Sequence, residues 1–391
     1  MNILLISRCP PYPLHLGDRL IIWHLARELS QQGHRLTLLA LTQYPEDTEQ
    51  IKAYEGFFEG VELFSERPRT PMMYLRRLLG QHHPQRAEQA WQGDLWRAIE
   101  AQLARQHFDV IHLFGGVHVY EFAHLVQHLP TVITPYESYS LYLQRALTQK
   151  PQVMLWFNWQ IAQQYERWMF ATYQHVVVLT EQDQSALLQL NPALDVHVIP
   201  NGIALDEFTM PTAPRQPNTL LFVGNYDYPP NHDAGLLLAH DIFPQVRQQI
   251  PDAHLQLVGN APPPDLQAYA SDHITITGRV PRVQDYLASA TVFVSPLRVG
   301  AGIKNKVLEA MAMGIPLVAT PLSMEGIDAE DGRDVLVTPV EKMAEAIVAL
   351  LRDERQQRTL ATHARAIIEK HYSWQGVAQQ YQALYQQARS S

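Results

Sequence analysis

Short runs of branched apolar residues, NILLI, RLTLLAL, DVIHLF, TVIT and HVVVLT, punctuate the first half of the chain. Between them lie segments such as DRLIIWHLARELSQQG, whose apolar residues recur at helical spacing. Uninterrupted apolar runs suit strands covered on both faces, so the alternation predicts a mostly parallel sheet clothed by helices. After VHVIPNGI the rhythm breaks at the proline-containing stretch TMPTAPRQPN, then restarts with TLLFVG, HLQLVG, HITITG, TVFVS and IPLVAT. The expected fold class is α/β, with two doubly wound, Rossmann-like domains facing each other across a cleft. Residues 1–205 form the expected first domain, 206–218 the linker and 219–370 the second domain. Residues 371–391 carry Trp374, Val377, Tyr381, Leu384 and Tyr385 at helical spacing, which predicts a terminal helix able to cross back to the first domain.

Composition narrows the function classes. At 391 residues the chain exceeds what one core usually supports, in keeping with two domains. An apolar fraction of 46% with 18% charged residues is that of a folded protein. The 39 acidic against 30 basic residues leave a formal charge of −9, which argues against nucleic acid as a partner. Cys9 is the only cysteine, so neither an intrachain disulfide nor a cysteine-based zinc site can form, and a reducing cytoplasm is the expected compartment. MNILLIS lacks the basic start and long apolar run of a signal peptide, and no apolar run approaches the roughly 18 residues of a membrane span.

The chemistry concentrates in SPLRVGAGIKNKVLEAMAMGIPLVATPLSME, residues Ser295 to Glu325. A strand ends at Pro296, a loop follows with Gly300 and Gly302 free of Cβ, and a helix begins near Lys304. Unpaired backbone N–H groups and the dipole at such a helix start suit a phosphate. Lys304 and Lys306 add positive charge, and Glu309 stands where its carboxylate can accept hydrogen bonds from vicinal hydroxyls such as those of a ribose. One strand-to-helix junction could hold both ends of a nucleotide diphosphate. Gly17, in LHLGDR, fits either a loop letting backbone approach a phosphate or sugar, or a simple turn; Asp18 fits a helix N-cap. His112 ends a predicted strand and is either a ligand-facing or a satisfied core histidine.

With these residues in view, the chain resembles the GT-B glycosyltransferases, most closely family 4, the retaining nucleotide-sugar transferases. LLFVGNYDYPPNHDAGLLLAHDIFPQVRQQIPDAHLQLVGNAPP is similar to the family's first C-domain unit, and GRVPRVQDYLASATVFVSPLRVGAGIKNKVLEAMAMGIPLVATPLSMEGI to its donor-site unit. PPYPLHLGDRLIIWHLARELSQQGHRLTLLAL resembles the opening strand, loop and helix, and VVVLTEQDQSAL with VIPNGIALDEF the approach to the hinge. The resemblance implies a donor site drawn from Gly17, Gly224, Asn225, Arg279, Gly300, Ala301, Gly302, Ile303, Lys304, Lys306, Val307 and Glu309. Lys306, Glu309, Arg298 and Glu137 would carry the chemistry. It implies transfer of a sugar to a saccharide, glycolipid or other hydroxyl acceptor with retention, in cell-surface polysaccharide or glycolipid synthesis, with no cofactor and no metal. The absence of an Asp-x-Asp triplet agrees, since metal-dependent transferases use such a pair to hold the diphosphate.

The chain departs from the family pattern in three respects. The first of its two donor-loop glutamates falls at Ala301. The Arg and Lys that many members place on the phosphates fall at Asn225 and Asn231, which leaves the charge to Lys306 with Arg298, Lys304 or Arg279 as helpers. The His-Asp pair facing the sugar falls at Tyr136 and Glu137. Two alternatives follow: a non-catalytic nucleotide-binding or scaffold subunit of a polysaccharide assembly complex, and a sugar-nucleotide 2-epimerase sharing the fold. The segment from Arg67 to Arg86 interleaves Arg67, Arg69, Arg76, Arg77 and Arg86 with Met72, Met73, Tyr74, Leu75, Leu78 and Leu79. It fits a surface helix facing the core, or a basic amphipathic helix on the inner face of a membrane.

Overall fold

The computed structural model describes residues 1–14, 17–80 and 83–390, with the side chains of Pro71, Met72, Arg76 and Leu78 and the surroundings of Gly80 also left undescribed. The chain divides into two compact units, one formed by Met1–Gly202 with Trp374–Ser391 and the other by Ile203–Ser373.

In the first unit the apolar runs form β1 (Asn2–Ser7), β2 (Arg35–Thr42), β3 (Gly60–Ser65), β4 (Val110–Phe114), β5 (Thr131–Tyr136), β6 (His175–Val178) and β7 (Val196–Val198). They pair in the order β3-β2-β1-β4-β5-β6-β7, each pair parallel. Ile3 to Ile6 and Val110 to Leu113 are buried throughout, as strands covered on both faces require. The terminal helix Trp374–Ser390 belongs to this unit, against the helix Gly17–Gln31 and strands β4 and β5. Trp374 stacks on His24 at 4.7 Å. His112 is a core residue: its Nδ1 meets the Tyr385 hydroxyl at 2.6 Å and its Nε2 the Thr134 hydroxyl at 2.8 Å. Burial drives its pKa down, so the ring is neutral and ties the terminal helix to the sheet.

The second unit holds β8 (Thr219–Val223), β9 (His254–Val258), β10 (Ile274–Ile276), β11 (Val292–Ser295), β12 (Leu317–Ala319) and β13 (Leu336–Val337). Their order is β10-β9-β8-β11-β12-β13, again parallel. Both sheets reverse direction of growth once, at β1/β4 and at β8/β11, and the loops leaving those strands flank a switch point, where such sheets bind ligands.

Residues 206–218 do not form a free linker. The Arg215 guanidinium donates to the carbonyls of Leu287, Ala288 and Ala290 and to those of Met313 and Gly314, and Arg365 donates to the Phe208 carbonyl. These bonds tie the stretch to the second unit, so the chain divides at Gly202/Ile203 and Ser373/Trp374 instead of at 205 and 370.

Candidate functional site

At the second switch point, Gly224 follows β8 and the loop from Pro296 to Lys304 follows β11. The β8 side is built by close approach. A Cβ on Gly259, at φ +143°, would stand 1.8 Å from the Gly224 carbonyl oxygen, so that contact admits only glycine. The helix Pro229–Leu237 then starts with prolines at its first positions, which give up no helical hydrogen bond there. Asn231, on its first turns, donates from Nδ2 to the Asn225 carbonyl at 2.8 Å and closes the loop.

On the β11 side, Gly300 at φ +142° and Gly302 at φ +67° turn the chain into the helix Asn305–Ala312. Its anchor is apolar: Val307, Leu308, Ala310, Met311 and Ala312 are buried. Leu308 and Met311 each contribute roughly 1.5–3 kcal/mol by burial. That fixed inner face leaves Lys306 and Glu309, one turn apart, half-buried at the helix start. The Lys306 ammonium donates to the Asn231 side-chain oxygen and lies 4.4 Å from the centre of the Phe222 ring. Burial lowers its pKa to about 7, partly countered by Glu309, and burial raises that of Glu309 to about 7. The Glu309 carboxylate accepts no hydrogen bond from the described residues.

The other candidates separate. Lys304 is buried and turns its ammonium back on the carbonyls of Ala301 and Gly302, so it braces the loop instead of offering charge outward. Arg298 is exposed and held in a two-point ion pair by Asp233, with Nε at 3.0 Å from Oδ2. Arg279 is exposed beyond the end of β10. Ala301 and Ile303 are buried in the loop. Beneath it, Ser295, Thr320 and Ser323 form a closed hydroxyl network, Thr320 donating to the Leu297 carbonyl at 2.7 Å. Sequence reasoning missed the Asn231–Lys306 and Asp233–Arg298 pairs, each of which joins residues far apart in sequence.

In the first unit, Gly17 opens its helix exposed, and Asp18 accepts from Arg19 N and pairs with Arg8 at 2.9 Å. Tyr136, at the end of β5, takes φ +75°, unusual for a residue with a side chain and a known store of strain at working sites. Its hydroxyl is buried with no hydrogen-bond partner among the described residues, and burial beside Cys9 and Asp18 raises its pKa. Glu137 follows, half-buried. A cavity of about 280 Å³ lies among Gln43, Glu66, Arg67, Pro68, Arg69 and Tyr74, beyond the ends of β2 and β3. Burial would raise the Glu66 pKa, but hydrogen bonds from His118 and Gln43 and the nearby Arg69 bring it down to about 2.

In the segment from Arg67 to Arg86, Arg67 and Arg86 are exposed, and the side chains of Met72, Arg76 and Leu78 lie outside the described residues. Arg69 and Arg77 turn inward over the Trp91 ring, at 4.5 and 4.7 Å from its centre, and Arg67 pairs with Asp94. Their charges find cation–π and carbonyl partners that solvent-facing positions lack. Among its described side chains, the helix Pro71–Gly80 exposes the apolar Leu75 and Leu79, and the neighbouring helix Val153–Met169 exposes Val153, Met154, Trp156, Phe157 and Ile161. No helix among the described residues is long and apolar enough to cross a membrane.

Comparison with known proteins decides what this pair of sheets is. Residues 20–207 match the model described as Glycosyltransferase Family 4, and residues 217–353 that described as Glycosyl transferases group 1. Together the two models span most of the chain and mark it as a family 4-like glycosyltransferase of the GT-B fold. Among curated relatives, the phosphatidyl-myo-inositol mannosyltransferase of Mycobacterium leprae is 31% identical over 210 residues, covering 50% of this chain and 55% of the relative. That of Mycobacterium tuberculosis is 30% identical over 213 residues, with the same shares. The chain therefore spans about half the length of the curated relatives it matches. Two glycosyltransferase-fold structures match along nearly their whole lengths. Sucrose-phosphate synthase from Thermosynechococcus elongatus gives a TM-score of 0.78 at 20% identity, covering 100% of this chain and 99% of the other. Anabaena HepE in complex with UDP gives 0.70 at 17% identity, covering 99% and 100%. At these identities the likeness establishes the fold, and the GT-B architecture expected from the sequence is the one found.

Proposed function

We propose that this glycosyltransferase moves a sugar from a nucleotide diphosphate donor to a hydroxyl of a glycolipid or saccharide acceptor, with retention at the anomeric carbon. The observation that carries it is Lys306, seated at the second switch point by Asn231 and Phe222, one helical turn from Glu309. Lys306 and the backbone N–H groups around Gly300 and Gly302 bind the diphosphate. Glu309 accepts hydrogen bonds from the ribose hydroxyls. Breaking the bond between the anomeric carbon and the phosphate oxygen leaves its electron pair on that oxygen, and the lysine meets the new charge better in the transition state than in the ground state. The acceptor oxygen forms the new bond on the same face while its proton passes to the departing phosphate oxygen. No strong protein base is demanded, and no metal, because the lysine and backbone dipoles supply the positive field. Arg298 assists only at the loss of its Asp233 partner.

On the acceptor side, the Tyr136 hydroxyl, which has no partner among the described residues, offers a hydrogen bond that an acceptor hydroxyl completes, and Glu137 orients that hydroxyl. The polar cavity beyond β2 and β3 suits a hydroxyl-rich group. The exposed apolar band of Leu75, Leu79, Val153, Met154, Trp156 and Phe157 supports a lipid-linked acceptor met at a membrane surface, through apolar insertion. Relatives that glycosylate phosphatidyl-myo-inositol, by their names, are consistent with this.

The test is release of free nucleotide without added metal from UDP-, GDP-, ADP- and TDP-sugars, for wild type, Lys306→Ala and Glu309→Ala. Release from one donor, lost in both variants, is the expected result. Silence from every donor, with no thermal shift by any nucleoside diphosphate, overturns the proposal.

A further inference from the structure

At the edge of the first sheet, remote in sequence from the loops discussed above, two imidazoles and a carboxylate converge. His175 opens β6, and Asp195 and His197 bracket the start of β7. The register pairs Val176 with Val196 and Val177 with His197, which sets His175 beside Asp195. Side chains alternate along a strand, so residues 195 and 197 share a face, and the paired 175 shares it with them. The donor atoms meet. His175 Nδ1 lies 2.7 Å from Asp195 Oδ2, His197 Nε2 lies 3.1 Å from the same oxygen, and the two ring nitrogens are 3.2 Å apart.

We propose that His175, Asp195 and His197 form a binding site for a divalent transition-metal ion of the zinc class. Two imidazole nitrogens with one carboxylate oxygen are a donor set that suits Zn²⁺ and its neighbours, and not Mg²⁺ or Ca²⁺, which prefer all-oxygen shells. A tetrahedral ion with ligands at about 2.0–2.1 Å sets adjacent donors about 3.3 Å apart, so an opening of a few tenths of an ångström admits the ion. The site is half sheltered: the His175 side chain is 4% exposed, that of His197 28% and that of Asp195 51%, which leaves a fourth position to water. The buried His175 Nε2 has no hydrogen-bond partner among the described residues, so the ring's polar contacts there run through Nδ1, toward the cluster. The ion cross-links β6 to the edge strand β7, at the amino ends of the strands. It is structural and separate from sugar transfer, which the carboxyl-end loops serve.

The experiment is calorimetric titration of Zn²⁺ into the full chain after removal of metals with EDTA, for wild type, His197→Ala and Asp195→Asn. These two substitutions fall on partly exposed side chains, and melting curves without zinc report whether the fold persists. Wild type is expected to bind one zinc at micromolar or lower Kd, with a rise in Tm that Mg²⁺ does not give. Each variant is expected to bind at least ten-fold more weakly at unchanged metal-free Tm. Absence of one-to-one binding by wild type, or equal binding by the folded variants through other histidines, overturns the site.

Discussion

The Lys306 ammonium is held by the side-chain oxygen of Asn231, 75 residues earlier in the chain. Where many family members are expected to carry a second cation on the phosphates, this protein has an acceptor that aims the remaining one. The lysine is thereby fixed at the switch point by a neutral acceptor, with Phe222 beside it and Glu309 one turn away.

Replacing that lysine should therefore cost more than replacing its support. Lys306→Ala is expected to lower donor turnover by about 10²–10³, the loss typical of a preorganised charge-stabilising group. Asn231→Ala should weaken donor binding by roughly ten-fold, the size of one charge-assisted hydrogen bond, and leave the catalytic rate nearer to wild type. Steady-state nucleotide release separates the two.

Nucleotide binding should take up a proton at pH 8. The Lys306 pKa of about 7 leaves the free enzyme largely neutral there, and a bound diphosphate restores the ammonium. Calorimetry of UDP or GDP binding in buffers of different ionisation heat measures the uptake, and affinity should fall as pH rises above 7. Lys306→Met should abolish the uptake; an unchanged proton count in that variant places the titration elsewhere.

Stability carries the same signature with opposite limbs. Glu309, raised from 4.5 to about 7, gives a contribution present in full below its unfolded pKa and lost as pH rises through 7. Lys306, lowered from 10.5 to about 7, is protonated in the unfolded chain and neutral in the folded one between those values, so stability recovers as pH rises across that window. Denaturant melts of Glu309→Gln should lose the falling limb between pH 4.5 and 7, and those of Lys306→Met the rising one above it.

Gly259→Ala should destabilise by at least about 2 kcal/mol, because its Cβ would sit inside the Gly224 carbonyl at a left-handed φ. The displaced β8 loop carries Asn225 toward Asn231, so donor binding should fall with the urea midpoint. Gly278→Ala, also at positive φ but with nothing near its Cβ, should cost only the strain, about 1 kcal/mol.

Trp156→Ser with Phe157→Ser should remove binding to lipid vesicles while leaving the melting temperature within a few degrees, since both rings are about half exposed. Flotation with neutral and anionic vesicles distinguishes insertion from charge. Equal flotation of wild type and the double variant would discard the apolar band as the contact.

The two parallel sheets were legible in the chain because uninterrupted apolar runs leave no solvent face, and the glycine loop, Lys306 and Glu309 fell at one strand-to-helix junction because those residues are neighbours along it. Local information reaches that far. Which cations are engaged within the protein depends on long-range packing: Lys304 folds back on its own loop, Arg298 is taken by Asp233, and Arg69 and Arg77 turn onto Trp91. It likewise decided that 206–218 is tied down by Arg215 and Arg365, that Tyr136 bears a strained backbone, and that His175 meets Asp195 and His197 across a strand pair. The reason is physical. Apolar periodicity is written in consecutive residues, whereas the partner of a charge is set by which distant strands and helices pack beside it, and a one-residue change of register would assign each a different one.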